Sequence, residues 1–339
     1  MKQKPVTIKE IAKRLNVSVS TISRALHDHP SIGLGMRQQV QKLAQELKYE
    51  PNQAAISFKQ GKTFTIGVIL PNLSEEFFSI AINGIEDIAT KNKYTVLIGQ
   101  SHDDTEREKL ITDTMRKHRV DGLIVSLSKD TVTYDHFDQL LEQGIPVVFF
   151  DRVPDTEDSY TVSCNLKDSS IKLVDWLVTK GFTSIGFIKG PDTMLPSQER
   201  MDGYFEGLKK NKLPVNNSYV VHTDLGQEST QEAIRQLLSL KDRPTAVIAF
   251  NDYVALESIK YTRNMGLKIN TDIFFVSYAN LPVTSYLDEP PIASVEQFPY
   301  QQAEKATDIL FKLINEKGSG ENIEKKVVLE SKVIVNKEI

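Results

Sequence analysis

Three stretches of the first fifty residues repeat their apolar positions every three to four residues, which places those positions on one face of a helix. The apolar positions are Ile8, Ile11, Ala12 and Leu15; Ile22, Ala25 and Leu26; and Met36, Val40, Leu43, Ala44 and Leu47. Thr7 and Glu10 match a capping box before the first stretch. Ser18 is a suitable N-cap for the second and Gly33 for the third. The pattern predicts three short helices, the first two joined by a tight turn.

From residue 65 onward, short β-rich runs alternate with helical stretches. The predicted strands cover residues 65–70, 94–99, 122–126, 146–150, 184–189, 246–250, 274–278 and 294–298. This alternation is typical of βαβ units and of parallel sheets with helices on both faces. Because the pattern runs through twice, with a seam near Ser163, it predicts two similar α/β lobes.

Two short helices joined by a tight turn and braced by a third form a helix-turn-helix, whose second helix lies in the major groove of DNA. The helical period turns Ser20 and Arg24 away from the apolar stripe and leaves Val19 at the exposed tip. Arg24 is suited to bidentate recognition of guanine. Contacts to phosphates, which position a protein without reading sequence, are assigned to Lys9, Thr21 and Ser23. The alternative is an ordinary three-helix bundle with solvated polar faces.

Charge separates the helical head from the rest of the chain. Residues 1–62 contain eleven Lys and Arg against four Asp and Glu, a balance of +7, whereas the remaining residues carry −11. A basic head on an acidic body indicates a polyanion-binding module joined to another unit. The 339 residues predict two or three domains. The single cysteine, Cys164, excludes an internal disulfide, and no apolar run approaches transmembrane length. We therefore expect a cytoplasmic protein with no membrane partner.

Two stretches give a specific resemblance: TIKEIAKRLNVSVSTISRAL at 7–26, and LKYEPNQAAISFKQGKTFTIGVILPN at 47–72. They resemble the LacI/GalR family of bacterial transcription regulators, and the resemblance extends to the C-terminus. In that family a hinge helix follows the Y-x-P-N motif and forms when two protomers meet on DNA. The resemblance implies that Asn52 caps this helix and that Ala55 lets two such helices approach closely. Phe58 stands where the family usually has a leucine wedged into the minor groove; packing against the body is the alternative for Phe58.

The resemblance divides the chain into a DNA-binding domain at 1–50, a hinge helix and linker at 51–63, and a two-lobed body of periplasmic-binding-protein type at 64–339. It assigns 64–162 and 292–322 to the N-lobe, and 163–291 and 323–339 to the C-lobe. The implied function is that of a sequence-specific repressor. It would act as a homodimer on a near-palindromic operator under the control of a sugar-like effector. The candidate DNA-binding residues are Thr7, Lys9, Ser18, Val19, Ser20, Thr21, Ser23, Arg24, Tyr49, Asn52, Ala55 and Phe58.

Ligands of open parallel sheets bind beyond the carboxyl ends of the strands, so a two-lobed body should bind its effector in the cleft between the lobes. The candidates that follow predicted strands or match the family are Phe77, Phe78, Asp151, Arg152, Arg200, Asn251, Asp252 and Gln297. Phe77 and Phe78 are suited to stacking on a sugar or base, with packing in a helix core as the alternative. Each of the other candidates, taken alone, is also compatible with a solvated loop.

Two positions depart from the family pattern. Ala279 stands where the family usually has an aspartate, and Cys164 where it often has another acid. The loss of two acceptors argues against a plain hexose site. Because Arg152 and Arg200 remain, an acidic effector such as a sugar acid or phosphosugar is one hypothesis.

An enzyme and a secreted solute-binding protein are the rival classes. The sequence has no G-x-G-x-x-G after a strand, no Walker loop and no G-x-S-x-G elbow. His27 and His29 have an H-x-H spacing but lack a third metal ligand, so we expect neither a metal nor a cofactor. A solute-binding protein would share the two lobes but would have no use for a helix-turn-helix.

Overall fold

The computed structural model describes residues 6–50, 61–315 and 323–338. The chain divides into two compact units, Met1–Thr63 and Phe64–Ile339. The predicted fold class is confirmed: a helical N-terminal unit precedes a two-lobed α/β body with parallel sheets.

The N-terminal unit contains helices α1 (Ile8–Arg14), α2 (Val19–Leu26) and α3 (Leu34–Glu46). Its core consists of Ile11, Ala12, Ile22, Ala25, Val40 and Ala44, all members of the predicted apolar faces. Ser18 caps α2 by accepting a hydrogen bond from the Thr21 backbone N–H at 3.1 Å. The prediction of a capping box at Thr7 is wrong. Thr7 is the N-cap residue of α1, but its side chain makes no capping hydrogen bond.

The body alternates strands and helices. In chain order they are β1 (Thr65–Leu70), α4 (Glu76–Lys91), β2 (Thr95–Gln100), α5 (Thr105–Lys117), β3 (Gly122–Val125), α6 (Asp135–Glu142), β4 (Val147–Phe150), β5 (Tyr160–Cys164), α7 (Leu166–Thr179), β6 (Ile185–Lys189), α8 (Leu195–Lys210), β7 (Val220–His222), α9 (Gln227–Leu238), β8 (Ala246–Ala249), α10 (Asp252–Asn264), β9 (Phe274–Ala279), β10 (Ala293–Glu296), α11 (Pro299–Asn315), β11 (Lys326–Leu329) and β12 (Lys332–Val335).

The strands form two six-stranded sheets, one in each lobe. The first has the order β11-β5-β4-β3-β1-β2 and is parallel throughout. The second has the order β12-β10-β9-β8-β6-β7 and is parallel except for the antiparallel pair of β10 and β12. The chain therefore passes between the sheets after β5, after β10 and after β11.

This topology corrects the lobe boundaries expected from the sequence. β10 lies in the second sheet although 292–322 was assigned to the N-lobe, and β11 lies in the first sheet although 323–339 was assigned to the C-lobe. β5 also runs across the expected seam at 162–163. Four strands, β5, β7, β11 and β12, were not predicted. The choice of sheet depends on hydrogen-bond partners distant in sequence, which the local apolar pattern does not specify.

In each lobe, a glycine lets two neighbouring helices pack closely. A Cβ added at Gly84 of α4 would lie 2.5 Å from the Tyr300 carbonyl oxygen of α11. A Cβ at Gly203 of α8 would overlap the Lys167 carbonyl oxygen of α7. Only glycine allows backbones to approach this closely, so these two positions fix the helix layers that cover the sheets.

Candidate functional site

The exposed face of α2 presents the side chains predicted to read DNA. Ser20 and Arg24 are exposed, and Val19 is 40% exposed. Within the described residues, no hydrogen bond or ion pair engages the Arg24 guanidinium. Thr21 and Ser23 are half-buried at the edges of this face. The face therefore offers a free guanidinium flanked by hydroxyl groups, an arrangement suited to base and phosphate contacts.

The remaining DNA-binding candidates differ in their exposure and contacts. Thr7 and Lys9 are exposed around the start of α1. Ser18 uses its hydroxyl to cap α2. Tyr49 packs against the core of the N-terminal unit, where burial raises the pKa of its hydroxyl. The three hinge candidates, Asn52, Ala55 and Phe58, lie outside the described residues.

A cavity lies between the two lobes at the carboxyl ends of the strands. It has a volume of about 40 Å³, and a larger cavity beside it shares three of its lining residues, Arg152, Met194 and Pro196. Of the eight cleft candidates predicted from the sequence, seven line it: Phe77, Phe78, Asp151, Arg152, Arg200, Asn251 and Gln297. The structure thus brings together side chains that are more than two hundred residues apart in the sequence.

Arg200 is a buried cation within this cavity. Its guanidinium donates to the Phe250 carbonyl oxygen at 2.9 Å and to Gln297 Oε1 at 3.2 Å. It also lies over the rings of Phe250 and Tyr278, at 4.3 and 4.5 Å from their centroids. No carboxylate of the described chain forms an ion pair with it, and its Nε has no hydrogen-bond partner there. Burial lowers the pKa of Arg200. A buried guanidinium with a free N–H is a binding group for an acceptor.

Arg152, in contrast, is already neutralised. Its Nη1 donates to Asp103 Oδ1 at 2.5 Å, and its guanidinium lies 5.6 Å from the centroid of the Phe78 ring. Burial lowers its pKa, but the nearby charges of Asp103, Glu75 and Asp151 outweigh burial and raise the pKa above its usual value. Asp103 also accepts from the Lys129 backbone N–H at 2.9 Å. Arg152 is therefore held in a fixed position by its ion pair.

Two carboxyl groups lie on the same cavity wall. Burial raises the pKa of Glu75, although Arg152 opposes this effect. Burial likewise raises the pKa of Asp151, against the attraction of Arg152 and Arg200. These groups would be stabilised by ligand hydroxyls that donate to them, because hydrogen bonds to a carboxylate favour its charged form.

Asp252 does not line the cavity, so the structure separates it from the other candidates. Its carboxylate is fully buried and accepts hydrogen bonds from Ser277 Oγ, from Ser294 Oγ and from the Leu281 backbone N–H. Burial raises the pKa of Asp252 to about 6, with those hydrogen bonds opposing the rise. Its contacts join the start of α10 to β9, β10 and the loop after β9, which is a structural role.

Phe77 and Phe78 combine the two roles considered for them. They are 6% and 1% exposed, belong to the core of the first lobe, and contact each other edge to face at 5.3 Å between centroids. Both also line the cavity. Core packing fixes these rings, and their cavity-facing edges form a rigid apolar wall.

Sequence reasoning missed seven lining residues: Glu75, Met194, Pro196, Phe250, Tyr253, Ala279 and Leu281. Ala279 had been noted only as a departure from the family pattern. The rule that ligands bind beyond strand ends would have found Met194 and Pro196, because they lie in and just after the loop that follows β6. It would also have found Glu75 in the loop that follows β1.

Left-handed backbone conformations cluster at the strand ends around this cavity. Positive φ angles occur at Asp103 (58°), Asp151 (57°), Ala279 (95°), Asn280 (51°) and Phe298 (55°). Such conformations cost on the order of 1–3 kcal/mol each in residues other than glycine, and they concentrate at functional sites. Two of the five, Asp151 and Ala279, line the cavity itself.

A helix-turn-helix unit linked to two α/β lobes around a polar cavity defines a class of protein, the ligand-responsive transcription regulators. The profile described as "Bacterial regulatory proteins, lacI family" matches residues 7–52, and the profile described as "Periplasmic binding protein domain" matches residues 66–318. The chain belongs to the LacI family of transcription regulators.

Individual relatives agree with this assignment. The catabolite control protein A of Priestia megaterium is 30% identical over 311 residues, which cover 91% of this chain and 93% of that protein. The structure of a lac repressor dimer bound to operator and an anti-inducer has a TM-score of 0.84 at 23% identity and covers 98% of each chain. A LacI-family regulator from Enterococcus faecium with bound ribose has a TM-score of 0.70 at 21% identity, and the match covers 80% of this chain and 96% of that one. These relatives are transcription regulators rather than enzymes. Among the described residues, no helix has the length and apolar character needed to cross a bilayer.

Proposed function

We propose that this protein is a transcriptional repressor that binds operator DNA as a homodimer, and that a small polyhydroxylated molecule held between the lobes controls its operator affinity. The observation that carries the proposal is the free Nε–H of buried Arg200 in a cavity that also contains Asp151 and Glu75. Sugar hydroxyls both donate and accept hydrogen bonds, so one ring satisfies donors and acceptors together.

The charges in the cavity favour a neutral ligand over the acidic one considered from the sequence. Arg152 is paired with Asp103, so among the described residues that line the cavity Arg200 is the unpaired cation, beside Asp151 and Glu75. An anionic ligand would lie beside these two carboxyl groups and raise their pKa values further, which disfavours its binding. The absence of acidic residues at positions 279 and 164 argued against a neutral sugar. Asp151 and Glu75 supply hydrogen-bond acceptors in their place.

In operator binding, α2 would contact base edges through Val19, Ser20 and Arg24. The phosphates would be contacted by Lys9, Thr21 and Ser23. Because a two-fold symmetric dimer reads two equivalent half-sites, the operator should be a near-palindrome. Asn52, Ala55 and Phe58 would form the hinge helix and its minor-groove wedge. Support comes from the related lac repressor, whose structure is a dimer on its operator. Binding chromosomal DNA would require the protein to act in the cytoplasm.

The test combines two assays on the full-length protein. Thermal-shift screening against neutral sugars, sugar acids and sugar phosphates identifies the ligand, and gel shifts with a selected operator measure DNA binding with and without it. We expect neutral sugars to bind, Arg200→Ala to abolish that binding, and Arg24→Ala to retain it while weakening operator recognition. Binding of sugar acids or phosphates alone would refute the neutral-ligand proposal. A protein that ignores every duplex in a genomic selection would refute the regulatory function.

A further inference from the structure

The cavity between the lobes has two compartments of unequal size. The first, which contains Arg200 and Asn251, has a volume of about 40 Å³. The second has a volume of about 250 Å³ and shares Arg152, Met194 and Pro196 with the first. A water molecule needs about 10–15 Å³ of such space. The first compartment therefore accommodates only one polar edge of a sugar ring, and a bound ring must extend toward the second.

The second compartment has its own set of binding groups, distinct from those of the first. Apolar side chains from both lobes line it, namely Leu127 and Val153 from the first and Leu195 from the second. Tyr134 and Asp155 add polar groups, and neither side chain forms a hydrogen bond or ion pair with another described residue. Apolar surface with a few polar groups free to contact a ligand is the composition of a ligand site.

The charges on the wall of the second compartment disfavour a phosphate as its occupant. The cation on its wall, Arg152, is neutralised by Asp103. Asp192, also on the wall, is paired with Lys189, and the carboxylate of Asp155 adds a negative charge. No unpaired cation lines the compartment within the described ranges. A neutral hydroxylated group is not repelled by these carboxylates, since its hydroxyls can donate to Asp155 and to the Tyr134 oxygen.

We infer that the ligand of this protein is a two-unit neutral sugar, a disaccharide, whose first ring contacts Arg200 and whose second ring occupies the compartment lined by Tyr134, Val153 and Gln198. This inference rests on the proposed function and specifies its ligand class. The second ring contacts both lobes, so it adds binding free energy that a single ring does not obtain.

The experiment is calorimetric titration of the full-length protein with matched probes: glucose, galactose and xylose against maltose, cellobiose, lactose and xylobiose, with glucose 6-phosphate as the charged probe. We expect at least one disaccharide to bind on the order of tenfold or more tightly than its component monosaccharides. Gln198→Trp fills the second compartment from an exposed helical position. It should reduce disaccharide affinity to the level of the monosaccharide.

Gln236→Trp, on the exposed surface of α9, is the matched control and should change neither affinity. Tyr134→Phe, which removes only one hydroxyl, should weaken the disaccharide several-fold and leave the monosaccharide unaffected. The inference is overturned if a monosaccharide or glucose 6-phosphate binds as tightly as any disaccharide, or if Gln198→Trp leaves disaccharide affinity intact. A monosaccharide-only result leaves the proposed function standing. Failure of every sugar to bind overturns this inference and the sugar-effector part of the proposed function, whereas operator binding is tested separately by gel shift.

Discussion

Substitution of the buried Asp252 by asparagine should change the pH dependence of stability. The carboxylate has a folded-state pKa of about 6 because burial disfavours its charge, against an ordinary value of 3.8. A folded-state pKa above the unfolded value means that the folded protein binds the proton more tightly. The resulting stabilisation is complete below the unfolded pKa and is lost as the pH rises through about 6. A shift of this size corresponds to about 3 kcal/mol.

Asparagine removes this titration while retaining the hydrogen bonds. Its amide oxygen accepts from the Leu281 N–H, and its amide N–H groups donate to Ser277 Oγ and Ser294 Oγ, since hydroxyls both donate and accept. Asp252→Asn should therefore gain stability relative to the native protein as the pH rises from 4.5 to 8, by about 2–3 kcal/mol. Asp252→Ala, which removes the acceptor of three buried donors, should lose about 3–5 kcal/mol at either pH.

The assay is urea unfolding of the full-length protein at both pH values, followed by circular dichroism. Asp288→Asn, at an exposed position, is the control and should track the native protein throughout. If the difference between Asp252→Asn and the native protein were the same at pH 4.5 and pH 8, the carboxylate would not titrate as argued. Its burial would then not be what sets its protonation.

The remaining predictions concern DNA and packing. Arg24→Ala should relax base preference at one position per half-site, as measured by operator selection, and leave non-specific affinity nearly unchanged, because the lost contact reads a base. Operator affinity should fall steeply with salt, with a slope matching about 6–10 neutralised phosphates; a flat profile in a filter-binding titration would contradict this. Gly84→Ala should lower the urea midpoint by the equivalent of about 1–3 kcal/mol, because the added Cβ meets the Tyr300 carbonyl oxygen at 2.5 Å.

The parts of the fold that sequence could predict are those encoded locally. The apolar periodicity of α1, α2 and α3 was sufficient to place the core of the N-terminal unit, because each buried stripe lies within one helix. Eight strands were likewise visible as β-rich runs, although β2 has no fully buried residue. Short strands such as β7 and edge strands such as β12 bury few side chains, and their identity depends on neighbours distant in sequence.

The candidate site, too, was predictable only where local sequence determines the position of a side chain. The rule that ligands bind beyond strand ends led to Asp151, Arg152 and Asn251, and all three line the cavity. The rule works because the carboxyl ends of parallel strands share one edge of the sheet. The same rule placed Asp252 in the cleft, but the chain turns its side chain inward toward β9 and β10. Its partners, Ser277 and Ser294, lie 25 and 42 residues away in sequence, so the residue order does not reveal that direction.

A ligand shifts the arrangement of the lobes only by contacting one arrangement better than another. Several hydrogen bonds cross between the lobes at the cavity's flanks. Among them, Lys129 Nζ donates to the Asp224 carbonyl oxygen at 2.9 Å, and the Glu76 N–H donates to the Tyr253 hydroxyl at 3.1 Å. Each contributes about 0.5–1.5 kcal/mol, whereas allosteric coupling is typically about 1–3 kcal/mol. Lys129→Met should therefore change the ligand concentration for half-maximal operator response by about tenfold or less. Arg200→Ala should abolish the response. A fluorescence-anisotropy titration on operator DNA distinguishes the two, and complete loss of response in Lys129→Met would show that this bond, rather than the ligand, sets the lobe equilibrium.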